Sequence, residues 1–306
     1  MASPTPDSLL SLTTEQQNLA SQALDTKSAL EIATIINNED AKIASAVSKT
    51  LPQIAEAIDV IADALSRGGR LIYVGAGTSG RIAALDAAEC PPTFSTDPKR
   101  VQFVMAGGER ALGRAVEANE DSPDLGQRDL ARLKPSKKDV VVGITASGRT
   151  PYTVAAVKYA KKKGARTVGV SCNPGSPLSQ VADIAITAEV GPEVVSGSTR
   201  MKAGTAQKMV LNMLTTGAMT RLGYVYGNLM VNVALKNKKL VERGITILSK
   251  AAEVDRGRAC EALGKSCKSV PLALIMLKAG VTLSEARRRL KSAGGKVRNA
   301  IEPRKC

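Results

Sequence analysis

Two glutamates are the first candidates for acid–base chemistry, because the chain contains no histidine. Histidine is the commonest general base and the commonest metal ligand, so proton transfer here must rely on carboxylates, lysines or hydroxyls. Glu89 precedes a Cys-Pro-Pro sequence, and Glu120 precedes Asp121. Two carboxylates in different surroundings can serve as general acid and general base. Each glutamate considered singly is typical of a surface carboxylate, so the neighbouring motifs must decide.

A glycine-rich loop is the first candidate for anion binding. Residues 74–81 read Val-Gly-Ala-Gly-Thr-Ser-Gly-Arg and follow an apolar run. Gly77 lets the backbone approach an anion, the following helix offers free N–H groups, and Thr78 and Ser79 add hydroxyls. The G-x-G-x-x-G spacing also opens dinucleotide-binding folds. However, the next apolar run, 101–105, does not end on an acidic residue for a ribose, so the pattern favours a sugar or monophosphate over NAD.

A second loop has the same chemistry. It runs from Thr145 to Pro151 and contains Ser147, Arg149 and Thr150. Pro151 suits the first position of a helix, and the hydroxyls can meet phosphate oxygens. Serine and threonine more often cap helices, so one such loop is ambiguous. Two of them at the ends of strands indicate a phosphate-binding site.

A third polar segment, residues 191–205, precedes another helix. It contains Glu193, Ser198 and Lys202 among further hydroxyls and cations. One interpretation is a lid that binds a sugar phosphate, and the other is a polar loop with helix caps.

Alternating strands and helices must position these loops. Short apolar or β-branched runs occur at 71–74, 101–105, 140–144, 167–171 and 184–186. With helical stretches between them, they predict an α/β fold: a doubly wound parallel sheet of five strands flanked by helices. Ligands of such sheets bind beyond the carboxyl ends of the strands, where both loops lie.

We expect three segments along the chain. Residues 1–66 are predicted to form helices that pack on the core, and residues 67–250 the sugar-phosphate-binding domain. Residues 251–306 are predicted to form a small basic domain of three short helices, similar to a UBA domain.

Composition narrows the class of protein. Of the net charge of +15, residues 236–306 carry +12, yet aromatic residues make up only 2% of the chain. Few bases could therefore stack, and nucleic-acid binding is the less favoured interpretation of the basic region. No apolar run is long enough for a membrane span and no signal peptide is visible, so we expect a cytosolic protein. The five cysteines have no disulfide or zinc spacing.

The chain resembles the N-acetylmuramic acid 6-phosphate etherases, a branch of the SIS-domain proteins, from about residue 12 to residue 300. The matching strings are LIYVGAGTSGR, LDAAECPPTF, VVVGITASGRTPY, TVGVSCNPGSPLS, GSTRMKAGTAQKMVLNML and GNLMVNV. Two positions depart from the pattern: Gln17 precedes Asn18 where the family often has arginine, and Asn232 replaces a usual aspartate.

The resemblance implies a reaction and roles for both glutamates. The family cleaves the lactyl ether at sugar C3 and adds water, giving N-acetylglucosamine 6-phosphate and D-lactate without metal or cofactor. Glu89 falls on the family's acid and Glu120 on its base. The resemblance also implies an SIS-type fold and a homodimer whose sites can include residues of the partner subunit.

Two other functions stay open at this point. A sugar-phosphate sensor of the glucokinase-regulatory type resembles the same family, but it carries two SIS domains in a longer chain. A sugar-responsive transcription regulator would need an N-terminal helix-turn-helix domain, whereas residues 12–66 follow the etherase pattern.

Overall fold

The central sheet consists of short strands whose residues are mostly buried. They are β1 (Leu71–Gly75), β2 (Val101–Met105), β3 (Val140–Ile144), β4 (Arg166–Ser171) and β5 (Ile184–Thr187). The computed structural model describes residues 12–114, 116, 119–235 and 237–302, and within these the five strands form one parallel sheet ordered β2-β1-β3-β4-β5. All residues of β1 and β3 are buried, as expected when helices cover both faces. The predicted five-stranded parallel sheet is confirmed.

Helices precede, connect and follow the strands. The first seven are α1 (Ala29–Asp40), α2 (Ile43–Ser48), α3 (Leu51–Ser66), α4 (Gly77–Phe94), α5 (Pro123–Ala131), α6 (Pro151–Lys162) and α7 (Pro177–Val181). They are followed by α8 (Lys202–Arg221), α9 (Lys238–Ala252), α10 (Arg256–Lys265), α11 (Val270–Ala279), α12 (Leu283–Ser292) and α13 (Val297–Ile301). A two-stranded hairpin, β6 (Val225–Tyr226) and β7 (Leu229–Met230), lies between α8 and α9. Within the described ranges, no helix combines the length and hydrophobicity that crossing a bilayer requires.

The described residues divide into two compact units. Unit 1 comprises residues 12–87 and 99–215 and contains the sheet, and unit 2 comprises residues 88–98 and 216–302. In unit 1, Val74, Val141 and Tyr152 are among the buried side chains packed around the central strands. The three segments expected from the sequence stay a prediction.

Unit 2 is helical and has its own apolar core. Its buried side chains include Leu248, Leu263, Leu274 and Val297. The predicted C-terminal helical region is confirmed, and α13 extends it by one short helix. Gly294 and Gly295 both have positive φ and end α12, after which Val297 to Ile301 bury three apolar side chains.

Asn232, one of the two departures from the family pattern, makes a specific contact in unit 2. Its Nδ2 donates to the carbonyl of Phe94 at 2.7 Å. An ionised aspartate at this position could only accept hydrogen bonds. The departure therefore comes with a hydrogen bond that the usual carboxylate could not make.

Candidate active site

The two glycine- and hydroxyl-rich loops lie side by side because of the strand order. β1 and β3 pair directly, so Gly75 and Ile144 at their carboxyl ends are partners in the register. β2 lies on the other side of β1, so the chain changes direction between β1 and β3. Such a switch point opens a crevice at the carboxyl ends of the strands, where ligands of open α/β sheets bind.

Gly77 leaves room for a catalytic candidate. It is the first residue of α4 and has a φ of +52°, which disfavours residues with a side chain. A Cβ at this position would lie 2.9 Å from Oε1 of Glu120. The carboxylate of Glu120 is therefore packed against the glycine loop at the beginning of α4.

The second loop fixes the backbone of Glu120. The N–H of Tyr152, in the first turn of α6, donates to the carbonyl of Glu120 at 3.0 Å. Groups in the first turn of a helix have no partner within the helix, so this bond satisfies one of them. Glu120 is thereby tied to α6 by its backbone while its carboxylate lies against the start of α4.

The hydroxyls of the second loop form a cluster. Thr145 Oγ1 is 2.7 Å from Thr150 Oγ1 and 3.3 Å from Ser147 Oγ, and Ser147 Oγ accepts from the N–H of Arg149 at 3.1 Å. Gly148 permits the sharp turn: its φ is +70°, and a Cβ there would lie 2.2 Å from Ser176 Oγ.

Both loops line one cavity of about 420 Å³ in unit 1. The lining residues are Leu12, Glu15, Ala76, Gly77, Thr78, Ser79, Arg81, Val116, Glu120, Thr145, Ala146, Ser147, Thr150 and Thr199. Seven of the residues singled out from the sequence therefore meet in one place. Their roles as ligands stay a prediction.

Other singled-out residues lie elsewhere. Among the described residues that line the cavity, Glu89, Arg149 and Ser198 are not included. Arg149 and Ser198 are half-buried, and Glu89 is exposed on α4. Gly77 and Glu89 are the first and thirteenth residues of the same helix.

Glu193 and Lys202 form a buried network at the start of α8. Glu193 is fully buried and accepts from the N–H groups of Lys202 and Ala203, both at 2.9 Å. Lys202 Nζ donates to Glu39 Oε2 at 2.6 Å, and both side chains are buried. Burial opposes ionisation of Glu39, but hydrogen bonds from Lys202 and Lys42 outweigh it and lower its pKa to about 2. Burial raises the pKa of Glu193, although its backbone donors oppose the shift.

Two polar residues of the cavity, Glu15 and Arg81, are not among the residues predicted from the sequence. Glu15 belongs to the predicted N-terminal helical region, and Arg81 closes the glycine-loop motif, whereas Thr199 belongs to the segment that one interpretation makes a lid. Arg81 donates through Nε to the carbonyl of Leu112 at 3.1 Å and through Nη2 to that of Arg114 at 3.0 Å. The position of Arg81 one turn after Gly77 is the sequence signal that could have placed it in the cavity, because residues in the first turns of this helix face the loop.

The cavity combines groups that bind anions with groups that move protons. It offers hydroxyls and the N-termini of α4 and α6 to an anion. It also contains two carboxylates, Glu15 and Glu120. Such a site suits a sugar phosphate on which a carboxylate acts as general base.

Comparisons with known proteins find families that match parts of the chain and a solved structure with the same fold. The SIS domain family matches residues 120–217, and the family described as the glucokinase regulatory protein N-terminal SIS domain matches residues 53–161. A crystal structure from Bacteroides fragilis NCTC 9343, described as that of a candidate phosphosugar isomerase involved in capsule formation, shares the fold. It has a TM-score of 0.51 and 21% identity, and the match covers 66% of this chain and 95% of that one.

Two curated relatives are much more similar and cover almost the whole chain. An N-acetylmuramic acid 6-phosphate etherase from Edwardsiella ictaluri (strain 93-146) is 54% identical over 95% of this chain and 97% of its own. The protein of the same name from Photorhabdus laumondii subsp. laumondii is 53% identical over 96% of this chain and 97% of its own.

Proposed function

The chain belongs to the N-acetylmuramic acid 6-phosphate etherases, and we propose that it cleaves the lactyl ether of that sugar phosphate in the cavity between β1 and β3. The observation that carries the proposal is the position of Glu120. Its carboxylate lies against Gly77 in a cavity otherwise rich in hydroxyls and helix N-termini. A base and an anion-binding surface are thus present in the same place.

The phosphate is held by the two loops. Thr78 and Ser79 lie in the first turn of α4, and Thr145, Ser147 and Thr150 surround the beginning of α6. Hydroxyls and free N–H groups at two helix N-termini donate hydrogen bonds to phosphate oxygens, and both helix dipoles favour the negative charge.

The chemistry is an elimination followed by addition of water. In the open-chain form, the C1 aldehyde acidifies the C2 proton, and the Glu120 carboxylate removes it. The C3–O bond breaks, and the departing lactate oxygen takes a proton from a carboxylic acid. Water then adds its hydroxyl to C3 of the unsaturated aldehyde while a proton returns to C2. The step that breaks the ether makes the enzyme a carbon–oxygen lyase, and each proton transfer contributes about 10²–10⁴-fold in rate.

Glu89 supplies the acid from a second subunit. This glutamate is exposed and does not line the cavity that contains Glu120, among the described residues of one chain. A homodimer in which Glu89 of the partner subunit enters the cavity would complete the pair.

The polar segment before α8 has a structural role in this account. Glu193 caps α8 and Lys202 pairs with Glu39, so both side chains are engaged within the protein. Thr199 is the residue of that segment that lines the cavity. Ser198 and Arg149 stay predicted ligands.

The proposed function is tested by release of lactate. Purified protein is incubated with N-acetylmuramic acid 6-phosphate, and D-lactate and N-acetylglucosamine 6-phosphate are measured together. We expect equal amounts of both products. A folded protein that binds N-acetylglucosamine 6-phosphate but releases no lactate would contradict the enzyme and favour a sugar-phosphate sensor.

A further inference from the structure

The amide of Gln207 is buried directly behind the cavity. Gln207 lies on α8 and is 1% exposed, and its Oε1 accepts from the hydroxyl of Ser79 at 2.9 Å. Ser79 is the third residue of α4 and lines the cavity. Gln207 itself does not line the cavity within the described part of the chain, so it acts on a ligand through Ser79.

This hydrogen bond points the hydroxyl proton of Ser79 the wrong way for an anion. A serine hydroxyl carries one hydrogen, and here Gln207 accepts it. Ser79 then presents only lone pairs to the cavity, and these repel phosphate oxygens. The Nε2 of Gln207, meanwhile, is buried without a hydrogen-bond partner among the described residues. Buried amide groups are normally satisfied, so this arrangement calls for an explanation.

Rotation of the amide by half a turn reverses the direction of this hydrogen bond. Nε2 would take the place of Oε1 and donate to Ser79 Oγ, which still has lone pairs to accept with. The hydroxyl hydrogen of Ser79 would then be free to donate into the cavity. Nε2 would gain an acceptor in the same movement, and Oε1 would move to the position that has no hydrogen-bond partner among the described residues.

We infer that Gln207 is a positioning residue whose amide reverses when a phosphate monoester binds, and that it thereby directs the Ser79 hydroxyl to a phosphate oxygen. The inference rests on the proposed function, in which Ser79 binds the phosphate. The packing of α8 against α4 keeps the two groups within reach: a Cβ on Gly204, one turn before Gln207, would lie 3.5 Å from Thr78 Cγ2.

A double-mutant cycle tests the coupling of the two side chains. Binding of N-acetylglucosamine 6-phosphate is measured by calorimetry for the parent, Gln207→Met, Ser79→Ala and the double variant. Methionine has nearly the same volume as glutamine and makes no strong hydrogen bond. We expect Gln207→Met to weaken binding about tenfold, as for loss of one hydrogen bond to a charged group. In the Ser79→Ala background, Gln207→Met should alter binding less than twofold. In the catalysed reaction, Gln207→Met alone should raise KM by a larger factor than it lowers kcat.

Thr205→Ala is the matched control, because Thr205 is exposed on the same turn of α8. Its binding should equal that of the parent. An equal loss for Gln207→Met with and without Ser79, or no loss at all, would overturn the inference. If the parent neither binds the sugar phosphate nor releases lactate, the proposed function fails as well.

The parent chain offers a second readout that does not depend on a folded variant. With glutamine side chains labelled with nitrogen-15, the amide protons of Gln207 should shift downfield when N-acetylglucosamine 6-phosphate is added, because they gain Ser79 Oγ as acceptor. Unchanged Gln207 amide signals at saturation would overturn the inference.

Discussion

At the scale of single residues, Glu120 is central to the proposed reaction. Its carboxylate lies in the cavity, and its backbone is fixed by Tyr152. Glutamine at position 120 has nearly the same shape but cannot remove a proton. We therefore expect Glu120→Gln to lower kcat by about 10²–10⁴-fold, the usual contribution of a general base, with little change in product binding. Lactate release and calorimetric binding of N-acetylglucosamine 6-phosphate measure the two effects.

Glu109→Gln is the control for that variant. Glu109 is an exposed carboxylate that precedes Glu120 in the chain. It is not among the described residues that line the cavity. Its activity should match that of the parent. A Glu120→Gln variant that keeps most of its activity would show that another group is the base, and Glu15 in the same cavity would be the next candidate.

The sequence predicts which residues line the cavity where the course of the backbone determines the position of those residues. Gly77, Ser79, Thr145 and Thr150 follow strands of a parallel sheet, so their sequence positions imply their place. Side chains that approach from distant segments were not predictable in this way. Glu15 reaches the cavity from the N-terminal segment by tertiary packing, which no local pattern reports.

At the scale of elements, the start of α8 depends on a buried ion pair. Lys202 and Glu39 are 2.6 Å apart with side chains 2% and 5% exposed. Removing Lys202 leaves Glu39 buried with Lys42 as its remaining partner, so the loss is below the value of about 3–5 kcal/mol for a buried charge without any partner. We expect Lys202→Met to lower the free energy of unfolding by about 1–3 kcal/mol and Lys202→Met with Glu39→Leu by less, in chemical denaturation.

The same variants separate two interpretations of Lys202. The polar segment before α8 predicts Lys202 as a substrate ligand, whereas the structure pairs Lys202 with Glu39. If Lys202 has only a structural role, the KM of the folded Lys202→Met protein should stay within about threefold of that of the parent. Such a change corresponds to a loss of less than about 1 kcal/mol of binding energy. A large rise in KM with unchanged stability would instead support the ligand.

A buried aspartate couples α4, β1 and α8 and makes the stability depend on pH. Asp86 accepts from Tyr73 at 2.8 Å and from Thr215 at 3.1 Å. Burial raises the pKa of Asp86 from 3.8 to about 6, although both hydrogen bonds oppose the shift. The folded state thus binds the proton more tightly than the unfolded state. The contribution of Asp86 to the free energy of unfolding is fully present below pH 3.8 and is lost as the pH rises through 6. This contribution amounts to about 3 kcal/mol.

Asp86→Asn isolates this contribution. The difference in free energy of unfolding, parent minus variant, should fall as the pH rises from 4 to 7. Denaturation curves at several pH values measure it, and the other titrating groups cancel in the difference. A difference independent of pH would contradict the raised pKa of Asp86.

The strands were predicted more accurately than the helices. Each apolar run agrees with its strand to within one residue at either end, and in β1 and β3 burial on both faces leaves a continuous apolar signal. Helix α4 continues to Phe94 through Pro91 and Pro92, which no local pattern predicts. Proline usually ends a helix, but here the N–H of Ser95 donates to Pro91 O, and Phe94 is buried.

At the scale of the whole molecule, the proposed homodimer makes a prediction about mixed subunits. If Glu89 of one subunit acts with Glu120 of the other, a dimer of Glu89→Gln and Glu120→Gln chains contains one intact site. Unfolding and refolding the two inactive variants together should therefore restore about a quarter of the parental activity per chain, since half of randomly paired dimers are mixed. Each variant refolded separately is the control. No recovery despite demonstrated mixed dimers would place both glutamates in one subunit.

The most direct test of the central claim is the fate of hydrogen and oxygen during turnover. N-acetylmuramic acid 6-phosphate is converted in deuterium oxide and, separately, in water labelled with oxygen-18, and both products are analysed by mass spectrometry and NMR. The account predicts deuterium at C2 and oxygen-18 at C3 of N-acetylglucosamine 6-phosphate, and unlabelled ether oxygen in lactate. Product without deuterium at C2, or lactate that contains oxygen-18, would contradict elimination with Glu120 as the base.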